Sequence, residues 1–305
     1  MRFQRDSRFF AAVAVFMVLF LSGCAPKVPN TWQARVVRAA NDDNISLFYR
    51  EAGQGTPLVM LHGFGADSYS FSRLIPKLAK KYHIYALDLK GFGKSPKPPD
   101  RHYSVYDQAV LVERFLKRHH LHRVILLGHS YGGGVALSLA LMDPGRIKQL
   151  VLIDSASYAQ QLPKLIRWLR IPILGKLLFY LVPASVEVRA SYRYAFYDPD
   201  KIPEDIVREY AANLYLPNAR SAYLQAVETM VPEDIGKIAK QYRTIHIPTL
   251  IIWGENDIVI RKEKAFRLHR DLPDSRLFII PRCGHIPHEE KPEEVLKILE
   301  KFMLK

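Results

Sequence analysis

Ser130 lies at the centre of Gly128-His129-Ser130-Tyr131-Gly132, directly after the apolar run Val124-Ile125-Leu126-Leu127. Gly133-Gly134 and the apolar stretch from Val135 to Leu141 follow it. A buried strand, a tight turn and a helix together present a serine hydroxyl as a nucleophile. The glycines lack a Cβ, so strand and helix can approach closely while the serine takes a strained backbone. The helix N-terminus behind it favours developing negative charge. Serine is a weak nucleophile at neutral pH; it needs a base, and the base needs an orienting acid. Both candidates lie downstream. Thr249 to Trp253 leads into Gly254-Glu255-Asn256-Asp257, and Arg276 to Ile280 leads into Pro281-Arg282-Cys283-Gly284-His285. Ser130, Asp257 and His285, in that chain order and each beyond the end of an apolar run, form a nucleophile–acid–base set. Asp154 is the rival acid, one strand earlier. His288 is the rival base, without the preceding glycine.

The elements that must position these residues alternate. Apolar runs at Leu58–Leu61, Ile84–Leu87, Val124–Leu127, Leu150–Ile153, Thr249–Trp253 and Arg276–Ile280 read as strands with helical stretches between them. Such alternation predicts an α/β fold with a largely parallel, doubly wound sheet. Residues 34–39 and 45–51, separated by Asn41-Asp42-Asp43-Asn44, read as an opening β-hairpin. No strand is expected from about residue 155 to 247, a helical segment broken at Pro163, Pro172, Pro183, Pro199, Pro203, Pro217 and Pro232.

On these motifs the chain resembles the α/β-hydrolase superfamily from about Arg35 to its C-terminus. His62-Gly63-Phe64-Gly65, after the strand ending at Leu61, resembles the family's oxyanion loop. The resemblance implies that the backbone N–H groups of Phe64 and Tyr131 form the oxyanion hole. Asp88 to Ser95 matches the loop after the next strand, and Gly284 to Pro292 the segment carrying the base. It also implies a helical cap at about 155–247 and no cofactor or metal. The details are most similar to bacterial carboxylesterases and monoacylglycerol-lipase-type enzymes, whose substrates are small esters.

Other chemistries fit less well. Family members that open epoxides or remove halides use an aspartate where this chain has Ser130. Gly93-Lys94-Ser95 is reminiscent of a phosphate-binding loop, but that motif needs glycine at Asp88. His119, His120 and His122 follow an amphipathic helix, where cationic residues are ordinary. His129 is expected to pack away from the reaction centre. C–C bond hydrolysis of a meta-cleavage product by the same triad, and a non-catalytic envelope binding protein, are the alternative functions.

The N-terminus suggests export. Arg2, Arg5 and Arg8 precede an uncharged apolar run of 13 residues, Phe9 to Leu21. That suits a signal-peptide core and falls short of the roughly 18 residues of a spanning helix. Leu21-Ser22-Gly23-Cys24 resembles a bacterial lipobox, which implies a signal peptide over residues 1–23 and lipidation of Cys24. Residues 24–33 then form a tether and 34–305 the catalytic domain. Ala25 lacks the aspartate associated with inner-membrane retention, so within the bacterial envelope the periplasmic face of an outer membrane is favoured if the host has one.

Composition agrees. At 305 residues and 49% hydrophobic content the chain has room for one domain with an insertion. Its two cysteines, Cys24 and Cys283, make no disulfide framework. The formal charge of +14 falls to about +12 once Arg2, Arg5, Asp6 and Arg8 are removed. That surplus suits anionic lipid, and no nucleic-acid motif accompanies it. Leu162 to Val182, apolar with Lys164, Arg167, Arg170 and Lys176 interspersed, could pack the cap or touch a membrane surface through Trp168 and Leu169. Tyr192, Tyr194, Phe196, Tyr197, Tyr210, Tyr215 and Tyr223 offer aromatic surface for an apolar pocket.

Overall fold

The computed structural model describes residues 33–35, 45–159, 169, 171 and 174–303, all within one compact unit, Trp32–Lys305. Eight strands form one sheet: β1 (Gln33–Arg35), β2 (Tyr49–Ala52), β3 (Thr56–Leu61), β4 (Tyr82–Leu87), β5 (Val124–His129), β6 (Ile147–Ile153), β7 (Thr249–Gly254) and β8 (Ser275–Ile280). Their spatial order is β1-β2-β4-β3-β5-β6-β7-β8. From β4 to β8 every pairing is parallel, while β1 and β2 add to one edge antiparallel. The opening hairpin thus pairs, although its turn lies outside the described residues and its second strand begins at Tyr49.

Period-2 side-chain alternation sorts the strands' apolar residues onto two faces. Val59, Leu61, Leu126, Leu150, Leu152, Ile251 and Trp253 share one buried cluster with α2 (Val105–Arg118), α3 (Tyr131–Met142) and α9 (Glu263–Asp271). Leu58, Met60, Ile125, Leu127, Val151, Ile153, Leu250 and Ile252 share the other with α1 (Ile75–Leu78) and α11 (Pro292–Met303). Both faces are therefore covered, which is why the parallel strands read as continuous apolar runs. Helix α2 starts at a capping box: Ser104 Oγ accepts from Asp107 N–H, and the Asp107 carboxylate accepts from Ser104 N–H.

Between β6 and β7 the described residues form no strand. They hold α4 (Leu174–Leu181), α5 (Ala184–Ala195), α6 (Glu204–Leu214), α7 (Ala219–Thr229) and α8 (Ile235–Lys240). Helices α5 and α6 have their own apolar cluster, which Ile286 from the base loop joins. Residues 162–168, 170, 172 and 173 of the 162–182 segment, Trp168 among them, lie outside the described residues, as do the apolar run Phe9–Leu21 and Cys24. Among the described residues no helix is long and apolar enough to cross a membrane.

Candidate active site

The sheet brings Ser130, Asp257 and His285 together at the carboxyl ends of its strands. Ser130 follows β5 and precedes α3 with φ 49° and ψ −115°, a left-handed backbone rare for a residue with a side chain. Its N–H donates to Ile153 O, and its carbonyl accepts from the N–H groups of Gly133, Gly134 and Ala156. The glycines have a steric reason. A Cβ on Gly128 would lie 2.3 Å from the Gly132 carbonyl oxygen, and one on Gly132 would lie 2.3 Å from that of Leu61.

The base arrives by an equally tight approach. A Cβ on Gly284 would fall 2.1 Å from the Ala195 carbonyl oxygen of α5, the same oxygen that accepts from His285 N–H at 2.7 Å. His285 Nε2 stands 2.9 Å from Ser130 Oγ, and Nδ1 stands 2.7 Å from Asp257 Oδ2. With Nδ1–H donating to the carboxylate, Nε2 is left to accept the serine proton. Asp257 Oδ1 accepts from Val259 N–H at 2.7 Å and Ile260 N–H at 2.9 Å, which fixes the carboxylate plane. All three side chains are buried or nearly so.

Phe64 follows the His62-Gly63 turn beyond β3, which runs beside β5 with Leu61 opposite Gly128. His62 Nδ1–H donates to Gly63 O at 2.7 Å, and Nε2 accepts from Leu89 N–H at 2.9 Å. Those bonds hold a neutral ring, and burial lowers its pKa. Tyr131 is the first residue of α3, where N–H groups lack an intrahelical acceptor. Neither Phe64 N–H nor Tyr131 N–H meets an acceptor among the described residues. The Phe64 ring packs on Phe92, Tyr131 and Tyr223, at 5.4, 6.3 and 4.5 Å between centroids.

The rival residues have other roles. His288 is fully buried, stands 2.8 Å from Ser70 Oγ, and burial takes its pKa down to about 3. It does not reach Ser130. His129 differs from expectation. It packs against the base, its ring 5.1 Å from that of His285, and its Nε2–H donates to the His285 carbonyl at 2.8 Å. The reason is strand alternation: His129 ends β5 on the face of Ile125 and Leu127, where its ring meets those of His285 and His288. Asp154 accepts from Gly254 N–H at 3.0 Å and makes no direct bond to the histidine. Gly93-Lys94-Ser95 is a turn tied to Asp88, whose carboxylate accepts from Lys94 N–H and whose carbonyl accepts from Ser95 Oγ–H. His119 packs against Phe115 and meets Tyr49 edge-on.

The sequence reading missed Glu289. This buried carboxyl accepts from Ser70 Oγ–H at 2.7 Å, Tyr192 OH at 2.9 Å and Tyr210 OH at 3.0 Å. Burial raises its pKa to about 7. Its neighbour Glu290 accepts from the N–H groups of Gly284, Tyr197 and Asp198. The two glutamates fasten α5 and α6 to the loop carrying His285. Consecutive acids after a Gly-His pair were the available signal. The expected aromatic surface divides accordingly: Tyr192 and Tyr210 are buried on Glu289, Tyr223 packs beside Phe64, and Tyr194, Tyr197 and Tyr215 are exposed.

A mostly parallel sheet covered on both faces, a serine on a strained strand–helix turn, and a helical insertion define the α/β-hydrolase architecture. The chain belongs to the alpha/beta hydrolase family, whose model matches residues 58–298. It is 31% identical over 273 residues to the uncharacterised hydrolase YugF of Bacillus subtilis, covering 88% of this chain and 97% of that one. It is 28% identical to 2-hydroxy-6-oxo-6-(2'-aminophenyl)hexa-2,4-dienoic acid hydrolase of Metapseudomonas resinovorans, covering 88% and 91%. Among solved structures, a membrane phospholipase A described as a bacterial virulence factor superposes with a TM-score of 0.72 at 27% identity, covering 89% of this chain and 86% of that one.

Proposed function

We propose that this protein is a lipid-anchored serine hydrolase that cleaves carboxylic esters of short to medium acyl chains, monoacylglycerols included. One observation carries the chemistry: the continuous relay from Ser130 Oγ through His285 to Asp257, at 2.9 and 2.7 Å. His285 takes the proton as Ser130 attacks the ester carbonyl, and the N–H groups of Phe64 and Tyr131 receive the oxyanion. The alcohol leaves with the proton from His285. Water, activated by the same base, then hydrolyses the acyl-enzyme. Asp257 holds the tautomer and stabilises the imidazolium. The reading uses no metal or cofactor.

Residues 1–23 are assigned as a signal peptide and Cys24 as the acylated first residue, with the domain at the periplasmic face of an outer membrane. Support comes from the Leu21-Ser22-Gly23-Cys24 box and the net charge of +14. Helix α4 adds to it, with Leu177, Leu178, Tyr180 and Leu181 all exposed, Leu181 at 64%. The second reading is C–C hydrolysis of a dienoic acid by the same relay, favoured by the Metapseudomonas relative. Export to a lipid-rich envelope counts against it. A fluorophosphonate probe, a panel of p-nitrophenyl esters of graded chain length and one meta-cleavage dienoate decide between them. Ester turnover with a short-to-medium optimum is expected. Turnover of the dienoate alone would overturn the ester assignment, and absence of probe labelling would leave a binding protein.

A further inference from the structure

Asp154 is a buried acid at the carboxyl edge of the sheet that the relay does not use. Asp154 follows β6, between the strand that delivers Ser130 and the strand that leads to Asp257, and it is fully buried. Its φ of 43° is a left-handed backbone that a non-glycine residue keeps only when its surroundings impose it. Here Asp154 N–H donates to Ile252 O, and Oδ1 accepts from Gly254 N–H, both at 3.0 Å. Oδ2 is equally buried and has no hydrogen-bond partner. This carboxyl belongs to a cluster in which atoms of Asp154, Asp257 and His285 all lie within 4.8 Å of one another. A shared metal ion does not fit, because the direct 2.7 Å contact of His285 Nδ1 with Asp257 Oδ2 is a hydrogen bond. Two tetrahedral ligands each about 2.0 Å from zinc would stand about 3.3 Å apart.

Two carboxyls this close in a dry site do not both ionise, so the pair holds a proton. Hydrogen-bond donors decide which member keeps it. Asp257 accepts from Val259 N–H, Ile260 N–H and His285 Nδ1–H, whereas Asp154 accepts from Gly254 N–H alone. The charge settles where three donors converge. We propose that Asp154 is a positioning residue for the relay, a neutral carboxyl beside Asp257 that keeps the negative charge on the acid holding His285. Burial, and then the charge of Asp257, push its pKa well above the usual carboxylate range. The other titratable groups facing it are Glu290 from α10 (Pro287–Glu290), which pushes the same way, and Cys283 and His285 from the base loop. Loss of the Asp154 proton at high pH places a second negative charge beside Asp257 and disturbs the His285 contact. The structure thereby builds an alkaline limit into the site.

The inference rests on Ser130, His285 and Asp257 being the relay, and the test separates the two. In the full-length protein, kcat/KM for p-nitrophenyl butyrate is measured from about pH 6 to 10 for wild type, Asp154→Asn and Asp154→Ala. Infrared difference spectra of wild type against Asp154→Asn at pH 7 report the protonated-carboxyl C=O band. Asparagine is neutral and nearly isosteric, so Asp154→Asn should stay within about threefold of wild type at pH 7, with its alkaline limb moved to higher pH. Asp154→Ala strands Gly254 N–H and should lose at least about tenfold in kcat with little change in KM. The difference spectrum should show a protonated-carboxyl band that wild type has and Asp154→Asn lacks, any band from Glu289 being common to both and cancelling. Three results would each overturn the proposal: Asp154→Asn as impaired as Asp154→Ala, both variants matching wild type across the pH range, or no such band. If wild type neither turns over the ester nor takes up a fluorophosphonate, the relay reading fails, and the infrared band still decides the Asp154 proton.

Discussion

At the scale of single residues, the site depends on contacts that tolerate almost no change. Ser130→Ala and His285→Ala should each lower p-nitrophenyl ester turnover by about 10³-fold or more, with Asp257→Asn close behind, because members of such a set act as a unit. Steady-state kinetics on variants with wild-type circular dichroism checks this, and Ser130→Ala keeping a tenth of the activity would refute the nucleophile. The glycines give a second test. Gly132→Ala drives a Cβ to 2.3 Å from Leu61 O and 2.5 Å from His62 O, both fixed backbone atoms. It should destabilise the fold by about 3 kcal/mol. Gly236→Ala, in α8 where a Cβ meets nothing within 4 Å, should stabilise by about 0.5–1 kcal/mol. Thermal melts of the two variants side by side should move in opposite directions.

At the scale of elements, the helical insertion is tied to the catalytic loop. Glu289 gathers one hydroxyl each from α5, α6 and the turn at Ser70, while His285 N–H and Gly284 contact the Ala195 carbonyl that ends α5. Displacing α5 would therefore pull on the base. Glu289 also makes stability depend on pH. Its folded pKa of about 7 stands above the ordinary 4.5. Below about pH 4.5 both states hold the proton. Between there and about 7 only the folded state does, so stability falls as pH rises through that window and then levels. Glu289→Gln should match wild type near pH 5 and exceed it by about 2–3 kcal/mol near pH 8. Urea unfolding at the two pH values measures the difference, and equal wild-type stability at both would argue against a buried proton there.

At the scale of the whole molecule, the question is where the enzyme works. The proposed anchor at Cys24 would keep the domain near its bilayer, since about ten residues span roughly 30 Å when extended. Cys24→Ser should abolish palmitate incorporation and globomycin-sensitive processing in an expressing bacterium. Palmitate on that variant would refute the anchor. The basic surplus predicts that vesicle binding by the domain alone weakens with salt, as surface electrostatics are screened within about 10 Å at 0.1 M.

The strands and the nucleophile turn were legible in the sequence because their determinants are local. Continuous apolar runs such as Val124–Leu127 mark strands buried on both faces, and Gly128, Gly132 and the strained Ser130 mark a turn that few other residues can make. The edge strands were less legible, since β1 and β2 are short and carry charged or polar residues, Gln33, Arg35, Arg50 and Glu51, within them. Choosing among candidate partners needed three dimensions. Asp154 and Asp257 both follow apolar strands and are both buried acids, and only the loop beyond β7 aims one of them at His285 Nδ1, 2.7 Å away. His285 and His288 are three residues apart, yet the start of α10 turns the second under the sheet edge toward Ser70. The burial of Glu289 likewise needed the fold, since Ser70, Tyr192 and Tyr210, which converge on it, are distant in sequence. Periodicity and turn chemistry act over a few neighbouring residues and are written in the chain. Which buried polar groups meet, and which of them keeps a proton, is set by strand order and desolvation, which exist only once the sheet has formed.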